Sequence, residues 1–299
     1  MIQRLQSLLS GREVLLTWGL LGVVAAEISV TYSRLPASEL YHVTSSGVGG
    51  GASRVLVYLG FPAALVGLAV LAVLFVRLGT AGRATAVLAA ALCATVFWPG
   101  VVNQADLDAR WINVPAATGV GLALVLSLVS GRRPTPPQRG DRWRLALAVT
   151  ALLASPAWLA ADLGFYLDGV PVFGRIYETG RRLPRQAGLP PFPPAVHHGH
   201  HHGMDGVLLV LSALLLSRAL PAIGARVLRL VTAAYLALML AYGFGNIAND
   251  LWVEQVWKRH WTRWTFPSVL EPRPTVAWLV LLVLAALILI ASSTAARPR

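Results

Sequence analysis

The sequence predicts an all-α fold, a polytopic transmembrane helix bundle of about eight spans with both termini cytoplasmic, each span being of the length a bilayer requires. Three observations carry that prediction. The composition is 56% hydrophobic and only 13% charged, with a mean hydropathy of +0.63, far more apolar than a water-soluble chain of 299 residues. The apolar residues fall in runs long enough to cross a hydrocarbon core. Arginine is concentrated in alternate short loops, where basic residues set orientation. Residues 1–299 are therefore expected to form a single integral domain of the cytoplasmic (plasma) membrane, with the lipid bilayer as its first partner.

The same composition closes off other classes. A net charge of +12 would suggest nucleic acid in a soluble protein, but here the arginines sit between apolar runs, so no nucleic-acid partner is expected. The single cysteine, Cys93, excludes a disulfide within the chain and a thiolate metal cluster, and its apolar setting marks it as a small packing residue.

Taken in order, residues 1–13 form a polar head, and an apolar run follows over residues 14–32. That run exceeds the hydrophobic region of a secretion signal and carries Glu27, so it reads as a retained span. Residues 31–54 read as a loop with a flexible glycine stretch at 47–51, followed by a second span over 55–76. Arg77 and Arg83 flank a tight turn before a third span over 84–102, and Asn103, Asp106, Asp108 and Arg110 then lie at the interface. A fourth span covers 114–129. Residues 131–144 form an Arg/Pro-rich cytoplasmic linker with five arginines, too polar to enter the membrane. The fifth span, 145–165, holds Pro156 and Asp162, and residues 166–196 form a long extracytoplasmic loop. The sixth span begins inside a histidine stretch and runs to about residue 220, the seventh covers 227–252 and the eighth 276–291.

This topology makes polarity one-sided. Glu27, His42, Asp162, the histidine stretch, Asp205, Asn246, Asp250, Glu254 and His260 all fall on the outer side, while the inner side offers mainly arginine and proline. A polar site is thus expected to face outward.

Residues 195–206 read A-V-H-H-G-H-H-H-G-M-D-G and hold five of the seven histidines: His197, His198, His200, His201 and His202. Neutral imidazole suits borderline transition metals near neutral pH, which makes these residues candidate metal ligands. If Pro193 and Pro194 open the sixth helix, His197, His201 and Asp205 recur at i, i+4, i+8, with His198 and His202 as a second pair beside them. Gly199, Gly203 and Gly206 then leave a strip on which a neighbouring helix can approach closely. The run is internal and adjoins Asp205, which sets it apart from a low-complexity tract. The H-x-x-H-H spacing, met at His197/His200/His201 and again at His198/His201/His202, is similar to one histidine box of membrane desaturases and hydroxylases. That resemblance covers a few residues. Those enzymes use several boxes, and with only His42 and His260 remaining as further candidate ligands, eight-histidine di-iron chemistry is not available.

Other constellations support or surround this one. Asn246, Asp250 and Glu254 share a face at i, i+4, i+8; Asp250 is a candidate ligand or catalytic group, and Asn246 and Glu254 could orient ligating imidazoles. A solvated helix cap, paired to Lys258 or Arg259, is the competing reading of that face. Glu27 and Asp162 are carboxylates within spans, suited to general acid/base work or ligation, with an interhelical pair to Arg34 or Tyr166 as the structural alternative. Trp252, Trp257, Trp261 and Trp264, interleaved with basic residues, read as an interfacial anchor. The sequence has no phosphate-binding glycine loop, G-x-S-x-G elbow, H-E-x-x-H helix or C-x-x-C pair.

The leading expectation is a membrane-embedded, metal-dependent oxidoreductase or hydrolase acting on a lipid or other hydrophobic small molecule. Its cofactor is a transition metal ion, with iron, copper and zinc all open to His/carboxylate ligation. Two alternatives stand beside it: a metal-ion transporter or metal-handling protein, and a non-catalytic subunit whose partners are other members of a membrane complex.

Overall fold

The structure, a computed structural model, describes residues 12–34, 44–103, 107–131, 135–138, 140–162, 202–257, 259–265, 267, 269–270 and 274–295. Among these the regular elements are all helical. In chain order they are α1 (Glu13–Arg34), α2 (Gly47–Leu59), α3 (Pro62–Leu74), α4 (Thr80–Ala94), α5 (Val114–Val129), α6 (Asp141–Asp162), α7 (His202–Ser217), α8 (Arg226–Trp252) and α9 (Val276–Ala295). A π-helical turn, Val253–Trp257, extends α8. Four helical stretches are long and apolar enough to cross a membrane: Glu13–Arg34, Thr80–Phe97, Trp111–Val129 and Arg226–Trp257. A fifth is added if α2 and α3, bent by 44° at their junction, count as one span.

That junction corrects the sequence reading twice. Residues 47–51 are not a flexible loop but the first turns of α2. Their glycines admit the backbone of α1: a Cβ on Gly50 would stand 3.3 Å from the Tyr32 carbonyl oxygen, and one on Gly51 2.7 Å from that of Ser29. Nor is 55–76 one continuous helix. Pro62, in the first turn of α3, has no N–H to donate and its ring would clash with the preceding turn, so the chain breaks at Gly60 and Phe61 and restarts.

Two helices form the centre. α3 is buried on nearly every face, and on α7 every residue from Gly203 to Leu214 is buried. Such sequences have no polar face because they meet no solvent. α7 packs against α1, α3, α6 and α8, and α4 and α5 close over α3. The surrounding helices are apolar on their outer surfaces: Leu128 and Val129 on α5, Leu153 on α6 and Val276 on α9 are each more than 70% exposed. A contiguous exterior of this kind is the surface a hydrocarbon solvent matches and water does not. Exposed Trp98, Trp111, Trp261 and Trp264 rim one edge and Trp143 the other, the depth at which indoles favour a membrane interface.

Small residues set the closest approaches. A Cβ on Gly206 of α7 would lie 2.6 Å from the carbonyl oxygen of Gly243 on α8, and one on Gly243 would lie 2.8 Å from that of Gly206. Backbones in such contact gain dispersion that larger side chains would forbid. Cys93 is wholly buried where α4 meets Gly67 of α3 and Gly119 of α5, the packing role its sequence context implies. Long-range hydrogen bonds fasten the helices: Trp18 Nε1 donates to Ser127 Oγ at 2.9 Å, Tyr235 Oη to the Leu65 carbonyl at 2.9 Å and Tyr58 Oη to the Leu21 carbonyl at 3.0 Å.

Gly206→Ala is expected to separate α7 from α8 and to cost about 1–3 kcal/mol, the usual penalty for overpacking. Gly121→Ala on α5, where a Cβ meets nothing within 4 Å, is the matched control. Thermal unfolding of the detergent-solubilised proteins should show a lowered midpoint for the first substitution and an unchanged or raised one for the second.

Candidate functional site

The edge of the bundle at which α7 begins, here the upper edge, collects carboxylates out of contact with solvent. Glu27, from the second half of α1, is buried and accepts a hydrogen bond from Thr31 Oγ1 at 2.9 Å. Asp205 is buried in the first turn of α7. Tyr58 of α2 donates its hydroxyl to the Leu21 carbonyl of α1 at 3.0 Å, and α7 packs against α1 beside it. α8 contributes the rest. Because Gly206 touches Gly243, the next upward turns of α8 carry Asn246, Asp250 and Glu254 past the start of α7, and all three are 4% exposed. Their common face, expected from spacing, therefore points inward. This burial is at odds with a cap emerging into water, while Lys258, the partner that reading offered beside Arg259, lies outside the described residues. Asn246 Nδ2 donates to the Tyr242 carbonyl at 2.9 Å.

The remaining candidates are placed as follows. His202 is the first residue of α7 and Asp162 the last of α6. His42, His197, His198, His200 and His201 lie outside the described residues, as does the question of whether the histidine run is helical. Among the described residues no three His, Cys, Asp or Glu side chains converge in a manner that could hold a metal ion. His260 is exposed and terminates a helix: at φ 58° it occupies the left-handed position usually taken by glycine. Its N–H donates to the Trp257 carbonyl at 2.8 Å and that of Trp261 to Val256 at 3.2 Å, the two bonds of a Schellman cap.

The Trp-rich segment packs on α8. After His260 the chain turns back along α8, whose side chains hold its carbonyls in three places. Trp252 Nε1 donates to Trp264 at 3.1 Å, Asn249 Nδ2 to Pro267 at 3.3 Å and Tyr242 Oη to Leu270 at 2.8 Å. Non-helical backbone at this depth needs such partners, since lipid offers none. Val269 and Leu270 are buried, so the upper part of α8 is covered by its own chain.

Asp108 has a structural task. Its carboxylate accepts hydrogen bonds from the Thr44 backbone N–H at 2.9 Å and from Ser45 Oγ at 3.0 Å, fastening the chain that enters α2 to the segment ahead of α5. Burial pushes its carboxyl up, but the hydrogen bonds from Thr44 and Ser45 outweigh it and hold the group below the usual value.

Sequence reasoning missed the charge cluster at the lower edge. Arg218, past the end of α7, is 3% exposed. It pairs with Glu13 of α1 at 3.3 Å and with Asp141 of α6, and Arg144 adds a bond to Asp141 Oδ1 at 3.1 Å and one to Ser217 Oγ at 2.8 Å. Gln138 Nε2 donates to the Arg218 carbonyl at 2.6 Å. Cations and carboxylates are matched here, so the cluster joins three helix ends. It also missed Arg54 and Tyr58, a buried i, i+4 pair on α2; a lone arginine beside a glycine stretch was the available signal. No family model, curated protein or solved structure matches the chain.

Burial raises the Asp141 carboxyl, but the Gln138 N–H and the charges of Arg218 and Arg144 outweigh it and hold the group below its usual range. A depressed pKa contributes stability above the unfolded value of about 3.9 and loses it as pH falls through the folded value. The thermal midpoint in detergent should thus fall below about pH 4. Asp141→Asn should lower the midpoint at pH 7 and flatten that acid limb. Arg218→Met, which strands the buried Glu13 and leaves Asp141 to Arg144 alone, should cost about 3–5 kcal/mol at neutral pH.

Proposed function

We propose that this chain is a multi-pass protein of the cytoplasmic membrane, with about eight spans and both termini inside. Its outward-facing upper edge binds a transition metal, and the metal serves an enzyme acting on a lipid or other hydrophobic substrate. The observation that carries this reading is the burial of Glu27, Asp205, Asp250 and Glu254 at the one edge where the histidine run joins the central helix. Buried carboxylates and imidazoles a few residues away are complementary donors for one borderline ion. The orientation rests on Arg77, Arg83, Arg144, Arg218, Arg226 and Arg229, all toward the opposite edge.

In this reading His197, His198, His200, His201 and His202 hold the ion with Asp205 and Asp250, and His42 or His260 completes the set. Asn246 and Glu254 orient the imidazoles. Glu27, Asp162 and Asp250 accept and return protons. A metal so held would polarise a substrate oxygen or activate water or dioxygen, and iron, copper and zinc all suit the donors. Below Asp205 the central helix offers Ser212 as its polar side chain within the buried stretch, and α3 beside it is apolar. Among the described residues these two central helices offer an ion entering from the upper edge little polar lining, which favours an enzyme over a transporter.

Elemental analysis by mass spectrometry of the untagged, detergent-purified protein tests the reading. The comparison is a variant with His197, His198, His200, His201 and His202 changed to alanine. The expected result is about one or two tightly held ions per chain, lost in the variant. Near-zero metal in both proteins would sink it.

A further inference from the structure

The buried arginine on α2 falls outside both charge clusters. Arg54 is 5% exposed, and its Nε is fully buried with no hydrogen-bond partner. Among the described residues the guanidinium makes neither a hydrogen bond nor an ion pair; its contact is the ring of Tyr32, 5.7 Å from guanidinium carbon to ring centroid. Arg110 and Arg218 each also hold one unpartnered buried nitrogen, but their guanidinium groups are bonded elsewhere. Arg218 has two carboxylates, and Arg110 donates to the carbonyls of Gly100 and Val101. A guanidinium cannot shed its proton, so a desolvated one without an anion is among the costliest arrangements a bilayer can contain. Such a group calls for an anionic partner, and the described residues supply none.

We infer that Arg54 docks the phosphate of an amphiphilic substrate that enters the upper edge from the lipid. This rests on the outward-facing site of the proposed function. Contact through the ring face leaves the in-plane N–H donors of the guanidinium free, and their fork matches two oxygens of a phosphate. Depth selects an amphiphile. Arg54 lies two turns from the start of α2, about 10 Å along the axis, and side chains on a helix lean toward its N-terminus. That returns the charge to the level of the tryptophan rim, where lipid phosphates reside. Tyr58 is one turn deeper on the same face of α2, where its hydroxyl donates to the Leu21 carbonyl of α1, the helix that carries Glu27. A substrate anchored by its phosphate at Arg54 would present the atoms next to its headgroup to the carboxylate layer.

The test uses full-length protein in dodecyl maltoside and isothermal titration calorimetry with three probes: dihexanoyl phosphatidic acid, dihexanoylglycerol and inorganic phosphate. The wild type should bind the phosphatidic acid, and its unfolding midpoint should rise in that probe's presence. Arg54→Gln should weaken binding at least tenfold and leave dihexanoylglycerol unaffected. Arg54→Lys should fall between, keeping the charge and losing the fork. Equal binding of phosphatidic acid by wild type and Arg54→Gln would overturn the inference. So would a wild type that neither binds nor is stabilised by it, a result that stands even if the variants fail to fold. Inorganic phosphate binding as tightly as phosphatidic acid would overturn the amphiphile and leave free phosphate as the ligand. Metal content, measured in the same preparations, should be unchanged in Arg54→Gln, so the fate of the metal reading is decided separately.

Discussion

The enclosure of α7 is the constraint on which the other elements depend. A helix walled in by α1, α3, α6 and α8 can carry polar groups only at its ends, and between Asp205 and Ser217 it carries Ser212 alone. Its backbone is satisfied internally, so its neighbours are chosen for shape, and the paired glycines at 206 and 243 let α8 come within backbone contact. Charge is thereby expelled to two edges. At the lower edge it is matched, Arg218 and Arg144 against Glu13 and Asp141. At the upper edge Glu27, Asp205, Asp250 and Glu254 are buried on three helical stretches.

The helices were legible because hydrocarbon imposes one rule on every run of residues. A helix occurs within each of the apolar stretches read from the sequence, and α5 runs over 114–129 as expected. The inward face of Asn246, Asp250 and Glu254 was legible too, because i, i+4 spacing survives into α8 and its π-helical turn without losing the face. The break before Pro62 and the start of α2 were not. Glycine serves equally for a loose loop and for close backbone packing, and only the arrival of α1 against Gly50 and Gly51 decides which. Distance in sequence hid the lower cluster: Glu13 and Arg218 each look like ordinary interfacial charges until the fold sets them together. Tyr58 was hidden by its ordinary role as an aromatic in an apolar run. The histidine run stands as read from spacing alone, since its described portion is His202 at the head of α7.

The segment after His260 shows how irregular backbone enters such a fold. Its carbonyls at Trp264, Pro267 and Leu270 are each met by a different side chain of α8, and Trp252 also meets Trp264 edge-on, with ring centroids 4.9 Å apart. Tyr242 serves twice, binding the Leu270 carbonyl and stacking on Trp278 of α9 at 5.6 Å. The strap thus ties α9 to the same face of α8 that, a few residues along, turns Asn246 and Asp250 inward. Local chain direction and site architecture share one helix.

The bond between Glu13 and Arg218 spans 205 positions in the sequence. At common synthesis rates of about 5–20 residues per second, roughly 10–40 s separate the emergence of the two. Through that interval the first helix is already made and its buried acid has no arginine to meet. The amino-terminal helix therefore finishes docking only when the seventh arrives, and the bundle is closed from its last third backwards rather than assembled in the order in which it is made.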